Sequence, residues 1–232
     1  MEKGIHGLFP FTKEPVRLLL LDHGCCDPPG ARLHACRDHL IRLGVEPLAC
    51  GPTSVPNLDA PTPGLHGIHL HAIAAANKIF LDAVHDGTPA AFLAATASIS
   101  PRLLGSVRET ARQTIAEAVD AFDPDVIFVL HAGILADLAI ETGVPVALHV
   151  GRTDLAAAAK VPRIRDLVTA ALGSAEKVIA EDQETATRLA EHWLEQDDRA
   201  DTEPPAIAVW PVAADQAVQI LAACEAARSR RL

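Results

Sequence analysis

Three histidines stand at the ends of apolar runs, where an imidazole has its best chance of meeting a ligand. His23 follows the run from Val16 to Asp22, His131 follows Val126 to Leu130, and His149 lies near the end of Val144 to Val150. An imidazole near neutral pKa in such a place can act as a base or hydrogen-bond a sugar hydroxyl. Gly151-Arg152-Thr153-Asp154 follows His149, and Glu181-Asp182 closes the run from Lys177 to Ala180. Gly30 precedes a helical pattern, whose free N–H groups could hold an anion. Each of these residues also reads as a cap or loop residue at a polar sheet edge, so their joint position has to decide.

A second group, His66-Gly-Ile-His69-Leu-His71, puts His69 and His71 on one face of a strand. No carboxylate or cysteine at suitable spacing accompanies them, so surface or loop histidines are the better reading and no metal is expected. The five cysteines, Cys25, Cys26, Cys36, Cys50 and Cys224, form no C-x-x-C pair. They imply neither a zinc knuckle nor a disulfide framework, and reduced thiols fit a cytoplasmic protein. The chain has no P-loop, no G-x-G-x-x-G after the first apolar run, no G-x-S-x-G and no H-E-x-x-H. No cofactor is therefore expected.

For the histidines to converge, the runs that carry them must be neighbouring parallel strands. Continuous apolar runs are the mark of strands buried on both faces. The pattern predicts strands at 16–22, 45–49, 67–73, 126–130, 144–150, 177–180 and 206–210. Between them, apolar stripes at helical spacing predict helices at 31–43, 74–84, 107–122, 134–142, 161–173, 183–195 and 215–229. Residues 90–100 are small and apolar without a clear period, and 51–64, rich in Pro, Gly, Ser and Asn, reads as a surface loop. Alternation of strand and helix implies an α/β fold, a single Rossmann-like open sandwich with a mostly parallel sheet. Residues 1–15 form an extended lead-in, and 16–232 form the one domain. In such sheets ligands bind outside the carboxyl ends of the strands, which is where the candidate residues fall.

Composition narrows the partner. Twenty Lys and Arg against thirty Asp and Glu give a net charge of −10, a poor match for a phosphate backbone. Aromatics make up 3% with no Tyr, which removes most base-stacking surfaces. Nucleic acid is excluded as the expected partner. No apolar run approaches the ~20 residues of a transmembrane segment.

Taken in order, several segments resemble the N-terminal, acceptor-side domain of GT-B glycosyltransferases, especially the retaining family four. They are Leu18 to Ala49 with Pro28-Pro29-Gly30 in its loop, Asp-Pro-Asp-Val-Ile-Phe-Val-Leu-His at 123–131, and Thr-Gly-Val-Pro-Val at 142–146. Leu-His-Val-Gly-Arg-Thr-Asp-Leu at 148–155, Ala-Glu-Lys-Val-Ile-Ala-Glu-Asp at 175–182 and Val-Trp-Pro-Val-Ala-Ala-Asp at 209–215 complete the series. The match covers 16–52 and 107–215. It implies one half of a GT-B fold, working in sugar transfer from a nucleotide sugar to the hydroxyl of a sugar or lipid-linked acceptor. His131 and His149 would take the catalytic side, with His23, Gly30, Arg152, Asp154 and Glu181 binding substrate.

The departures matter equally. The family's Gly-Gly pair is reduced to Pro29-Gly30-Ala31, and its His-Gly-x-Asp reads Gly151-Arg152-Thr153-Asp154, leaving His149 alone. A donor-binding domain with paired glutamates has no counterpart here, so a donor domain or subunit is the implied partner, and a homo-oligomer is open. A non-catalytic binding or scaffold module of the same fold is the alternative. A small α/β hydrolase or metal enzyme built on the histidines is a third.

Overall fold

Leu18 to Leu21, four consecutive leucines, are completely buried, and this places their strand at the centre of the molecule. In a computed structural model of the chain the described residues are 15–23, 32–53, 64–69, 89–194, 207–209, 220 and 222–226. The strands are β1 (Arg17–Leu21), β2 (Glu46–Thr53), β3 (Leu65–His69), β4 (Val126–Val129), β5 (Val146–Val150), β6 (Lys177–Ala180) and β7 (Ile207–Val209). The helices are α1 (Arg32–Arg42), α2 (Pro89–Ser98), α3 (Pro101–Phe122), α4 (Ala136–Glu141), α5 (Arg152–Lys160), α6 (Pro162–Leu172) and α7 (Gln183–Leu194). Residues 222–226 are also helical. All seven strands join one sheet in the order β3-β2-β1-β4-β5-β6-β7, and every pairing is parallel. The expected α/β open sandwich is present, with a sheet that is parallel throughout.

Alternation along the strands divides the core. Leu19, Leu21, Ile127 and Val129 pack on one face with α3 to α7. Leu18, Leu20, Val126 and Phe128 pack on the other, with Leu33, Cys36 and Leu40 of α1 and with Ile220, Ala223 and Cys224. Two apolar faces explain why β1 and β4 carry no polar residue beyond Arg17 at the very start. Burial raises the Cys50 thiol to about 12, so at neutral pH it is a small apolar core group.

Helix α3 shows how local chemistry sets an element's limits. Ser100 caps it, its Oγ accepting from Leu103 N at 3.2 Å, and Pro101 occupies the first turn. Leu104, Val107, Ala111, Ile115 and Ala118 form its buried stripe. Asp123 ends it in the left-handed conformation, φ 48°, and turns the chain into β4. Arg17 fastens this corner. Its backbone N–H donates to Asp125 Oδ2 at 3.0 Å, and its guanidinium reaches Phe122 O and, at 3.2 Å, Asp123 Oδ2.

The structure moves several predicted boundaries. Strand β3 starts at Leu65, two residues before the predicted start, because it pairs in register with β2 from Ala49↔Leu65 onward. Residues 90–100, without a period to read, belong mainly to α2. Helix α3 begins six residues before the predicted start. Residues 152–160, to which the sequence pattern assigned no element, form α5. All but the last residue of the predicted lead-in, the 74–84 helix and most of the 51–64 loop lie outside the described residues. No helix among the described residues is long and apolar enough to cross a membrane.

Candidate functional site

The order of the sheet reverses between β1 and β4. From β1 the chain proceeds outward through β2 and β3, whereas from β4 it proceeds the other way. Connections that leave a parallel sheet in opposite directions open a crevice at the carboxyl ends of the two strands. Pairing register then determines what faces the crevice. Leu21 is opposite Val129, and Leu130 N donates to Leu21 O at 2.9 Å, so two residues further His23 comes level with His131.

The side chains follow the backbone. The His23 and His131 rings stack with centroids 4.5 Å apart and planes 25° from parallel. His149, from β5, meets His131 edge-on at 6.4 Å and 79°. Its Nδ1 donates to Leu130 O at 3.0 Å, which leaves Nε2 as the ring's acceptor nitrogen. Asp154 comes from the first turn of α5. One of its oxygens accepts from Gly151 N at 2.8 Å, while the other lies 3.5 Å from His131 Nδ1.

Asp154 is 3% exposed, and burial by itself would raise its pKa. His131 opposes that most strongly, helped by His23 and the Gly151 N–H, and the carboxyl is held below its ordinary range. A buried carboxylate is therefore placed to offset a proton arriving on His131. His23 behaves differently. Burial of the imidazole lowers its pKa to about 4, reinforced by His131 and resisted by Asp22 and Asp154. At neutral pH this ring is neutral, one nitrogen donating and the other accepting. The arrangement can orient a hydroxyl and take up its proton.

A second set lies beside β6. Arg152 N donates to Glu181 Oε2 at 2.9 Å, and Arg152 Nε donates to Asp182 Oδ2 at 2.8 Å. Asp182 Oδ1 accepts from Thr185 N and Oγ1 at 2.8 and 2.9 Å, capping α7. Arg152 and Glu181 thus brace α5 against the β6–α7 turn. Gly151 joins this set to the histidines, since a Cβ there would lie 3.3 Å from Glu181 Oε2, 3.6 Å from Asp154 Oδ2 and 4.0 Å from His149 Cε1.

The structure therefore brings His23, His131, His149 and Asp154 together, sets Glu181 at their margin, and directs the Arg152 guanidinium to Asp182. Gly30 and His71 lie outside the described residues, as does the side chain of His69. Sequence reasoning missed Asp22, taken as the last residue of a strand, and Gly133, which carries the close approach to His23. One oxygen of Asp22 and one nitrogen each of His23 and His131 lie within 4.8 Å of one another. A carboxylate beside a histidine at a strand end was the available signal for Asp22.

No protein-family model matches the chain, and no curated protein matches it. Among solved structures, its fold is similar to that of a sucrose-phosphate synthase chain from Thermosynechococcus elongatus, with a TM-score of 0.52 at 9% identity. The match covers 94% of this chain and 100% of that one, and at such identity the likeness is one of fold alone. A UDP-N-acetylglucosamine 2-epimerase gives a TM-score of 0.41 at 11% identity over 90% of this chain and 49% of the other. UGT2 of Phytolacca americana, complexed with UDP-2-fluoro-glucose and pterostilbene, gives 0.41 at 8% identity over 88% and 55%. This chain spans about half the length of these last two.

Proposed function

We propose that this chain is the acceptor-side wall of a glycosyltransferase resembling family four, with the donor-binding domain supplied from outside these residues. The observation that carries the reading is the convergence of His23, His131, His149 and Asp154 at the reversal of the sheet. A polar, partly buried cluster of this kind suits a hydroxyl better than an apolar ligand. In the assembled enzyme the acceptor oxygen attacks the anomeric carbon of a nucleotide sugar, the bond from that carbon to the phosphate oxygen breaks, and the nucleotide departs. This chain would contribute position and electrostatics, with His131 and His149 receiving the acceptor hydroxyl and Asp154 balancing positive charge on His131. Arg152 and Glu181 would hold α5 in place and reach substrate from the margin.

The experiment pairs the chain with a donor-type domain and measures transfer from nucleotide sugars to a panel of sugar and lipid-linked acceptors. The chain alone should bind an acceptor, seen by saturation-transfer NMR, without turning over nucleotide sugar. Replacing His131 and His149 together by Ala should reduce transfer at least a hundredfold, within the range of an acid–base and positioning loss. Unchanged turnover in that double variant would favour the non-catalytic module, and turnover by the chain alone would contradict the missing donor half.

A further inference from the structure

We propose that Asp22, His23 and His131 form a binding site for a divalent transition-metal ion of the zinc or ferrous class. One potential ligand atom from each residue lies within 4.8 Å of the other two. This grouping is distinct from the His66-His69-His71 segment, and it rests on a rigid frame. Asp22 and His23 directly follow β1, His131 follows β4 by two residues, and these strands pair along Leu18↔Val126 to Leu21↔Val129. Asp22 is itself anchored by its backbone N–H, which donates to Cys50 O at 3.0 Å.

The donor set decides the kind of ion. Two imidazoles and one carboxylate suit borderline ions such as zinc or ferrous iron, whereas magnesium and calcium demand mostly oxygen ligands. A tetrahedral ion with bonds of about 2.0–2.1 Å holds its donors about 3.4 Å apart. The three atoms here therefore need to close by no more than about 1.5 Å, and the stacked His23 and His131 rings must turn about their side-chain bonds so that one nitrogen lone pair of each points at the ion. An outer partner is also present. Asp154 Oδ1 lies 3.5 Å from His131 Nδ1, close enough for a carboxylate to orient the ring of a metal-binding histidine from outside. Gly133 leaves the His23 ring its space, since even a methyl group there would collide with it.

Three protein ligands leave at least one coordination position for an oxygen donor, a water or a hydroxyl of whatever enters the crevice. The inference does not rest on the sugar-transfer reading, because metal uptake is measured with no sugar present. If both hold, the acceptor hydroxyl meets the ion where otherwise it would meet the His131 imidazole.

The test strips the purified chain with a chelator and titrates it with Zn2+ by calorimetry, with Co2+ as a spectroscopic stand-in. One equivalent of Zn2+ should bind, and Co2+ should develop the visible bands of a tetrahedral or five-coordinate site. Asp22→Asn, His23→Gln and His131→Gln should each weaken Zn2+ at least tenfold, while His66→Gln in β3 should leave it unchanged. Because Asp22 is buried and its variant could misfold, X-ray absorption of the zinc-loaded parent chain supplies an independent reading. It should show two imidazole nitrogens and oxygen. Absence of stoichiometric Zn2+ binding, wild-type affinity in all three variants, or a zinc shell without imidazole would overturn the site.

Discussion

Gly133 lies against the His23 imidazole so closely that a Cβ added to the glycine would sit 2.6 Å from Nδ1 and 3.0 Å from Cε1. Its contribution is therefore space for a ring, and no unusual backbone conformation is involved. Real Cβ contacts of that length do not occur, so Gly133→Ala must push His23 out of its stack on His131. The expected cost is about 1–2 kcal/mol of stability, typical of overpacking a tight position. Histidine ring resonances should shift together at His23 and His131 in the NMR spectrum. A variant with native ring shifts and native Tm would show that a methyl group at 133 is accommodated without displacing the ring.

Arg108 and Asp137 tie α3 to α4 through a two-pronged ion pair. Arg108 Nη1 and Nη2 donate to the two Asp137 oxygens at 2.9 and 2.5 Å, and Nη1 also donates to Ile134 O at 2.6 Å. Both side chains are mostly buried, so removal of the acid leaves a guanidinium only partly satisfied. Asp137→Ala should cost about 2 kcal/mol, more than an exposed pair would, measured by chemical denaturation. A double-mutant cycle with Arg108→Met should return part of that loss, because the stranded charge goes too. Additive single effects would refute the coupling.

Asp182 gives the pH prediction. The Thr185 N–H, then the Arg152 guanidinium and the Thr185 hydroxyl, hold its carboxyl down at about 2, against 3.8 for the free group. The unfolded chain thus binds this proton more readily, and the contribution of Asp182 to stability is complete above about pH 4. It declines as pH falls through 2. Hydrogen exchange at Thr185 N should accelerate, relative to amides deeper in α7, over that interval. Asp182→Asn should show the fast rate at every pH without the acid transition. An NMR titration midpoint for Asp182 near 3.8 would mean that the cap and the arginine do not favour the ionised form.

Much of this architecture was readable in the residues themselves. Leu18 to Leu21, Val126 to Val129 and Val146 to Val150 lie buried on both faces of the sheet, and such strands must be almost wholly apolar. Their carboxyl ends are equally legible, since polar residues return there, as at Asp22-His23 and His131, or just before the last residue, as at His149. That is why His23, His131 and His149 could be selected in advance. Helix α2 was hidden because Ala, Ser and Thr dominate it, leaving no stripe to detect. Helix α5 escaped for a related reason, four alanines in succession at 156–159, and its absence concealed that Asp154 is a first-turn residue facing inward. Ser100-Pro101 was a start signal for α3 that the apolar period, beginning later, overshadowed. Gly133 could not be recognised from composition, because its importance depends on a ring brought to it from β1.

The pairing of β1 with β4 also has a kinetic consequence. Arg17 and Asp125, hydrogen-bonded at the head of this pairing, are 108 residues apart, whereas β1 meets β2 after only about 30. Closing the longer loop costs about 1 kcal/mol more chain entropy, and such distant contacts slow folding. A β1–α1–β2 unit can therefore gather early, with the β1–β4 seam joining it to the rest of the sheet later. His23 and His131 sit at the far end of that seam, so the crevice is complete only when the two parts of the chain have met. Refolding followed at the histidine cluster should lag behind refolding followed by helix content.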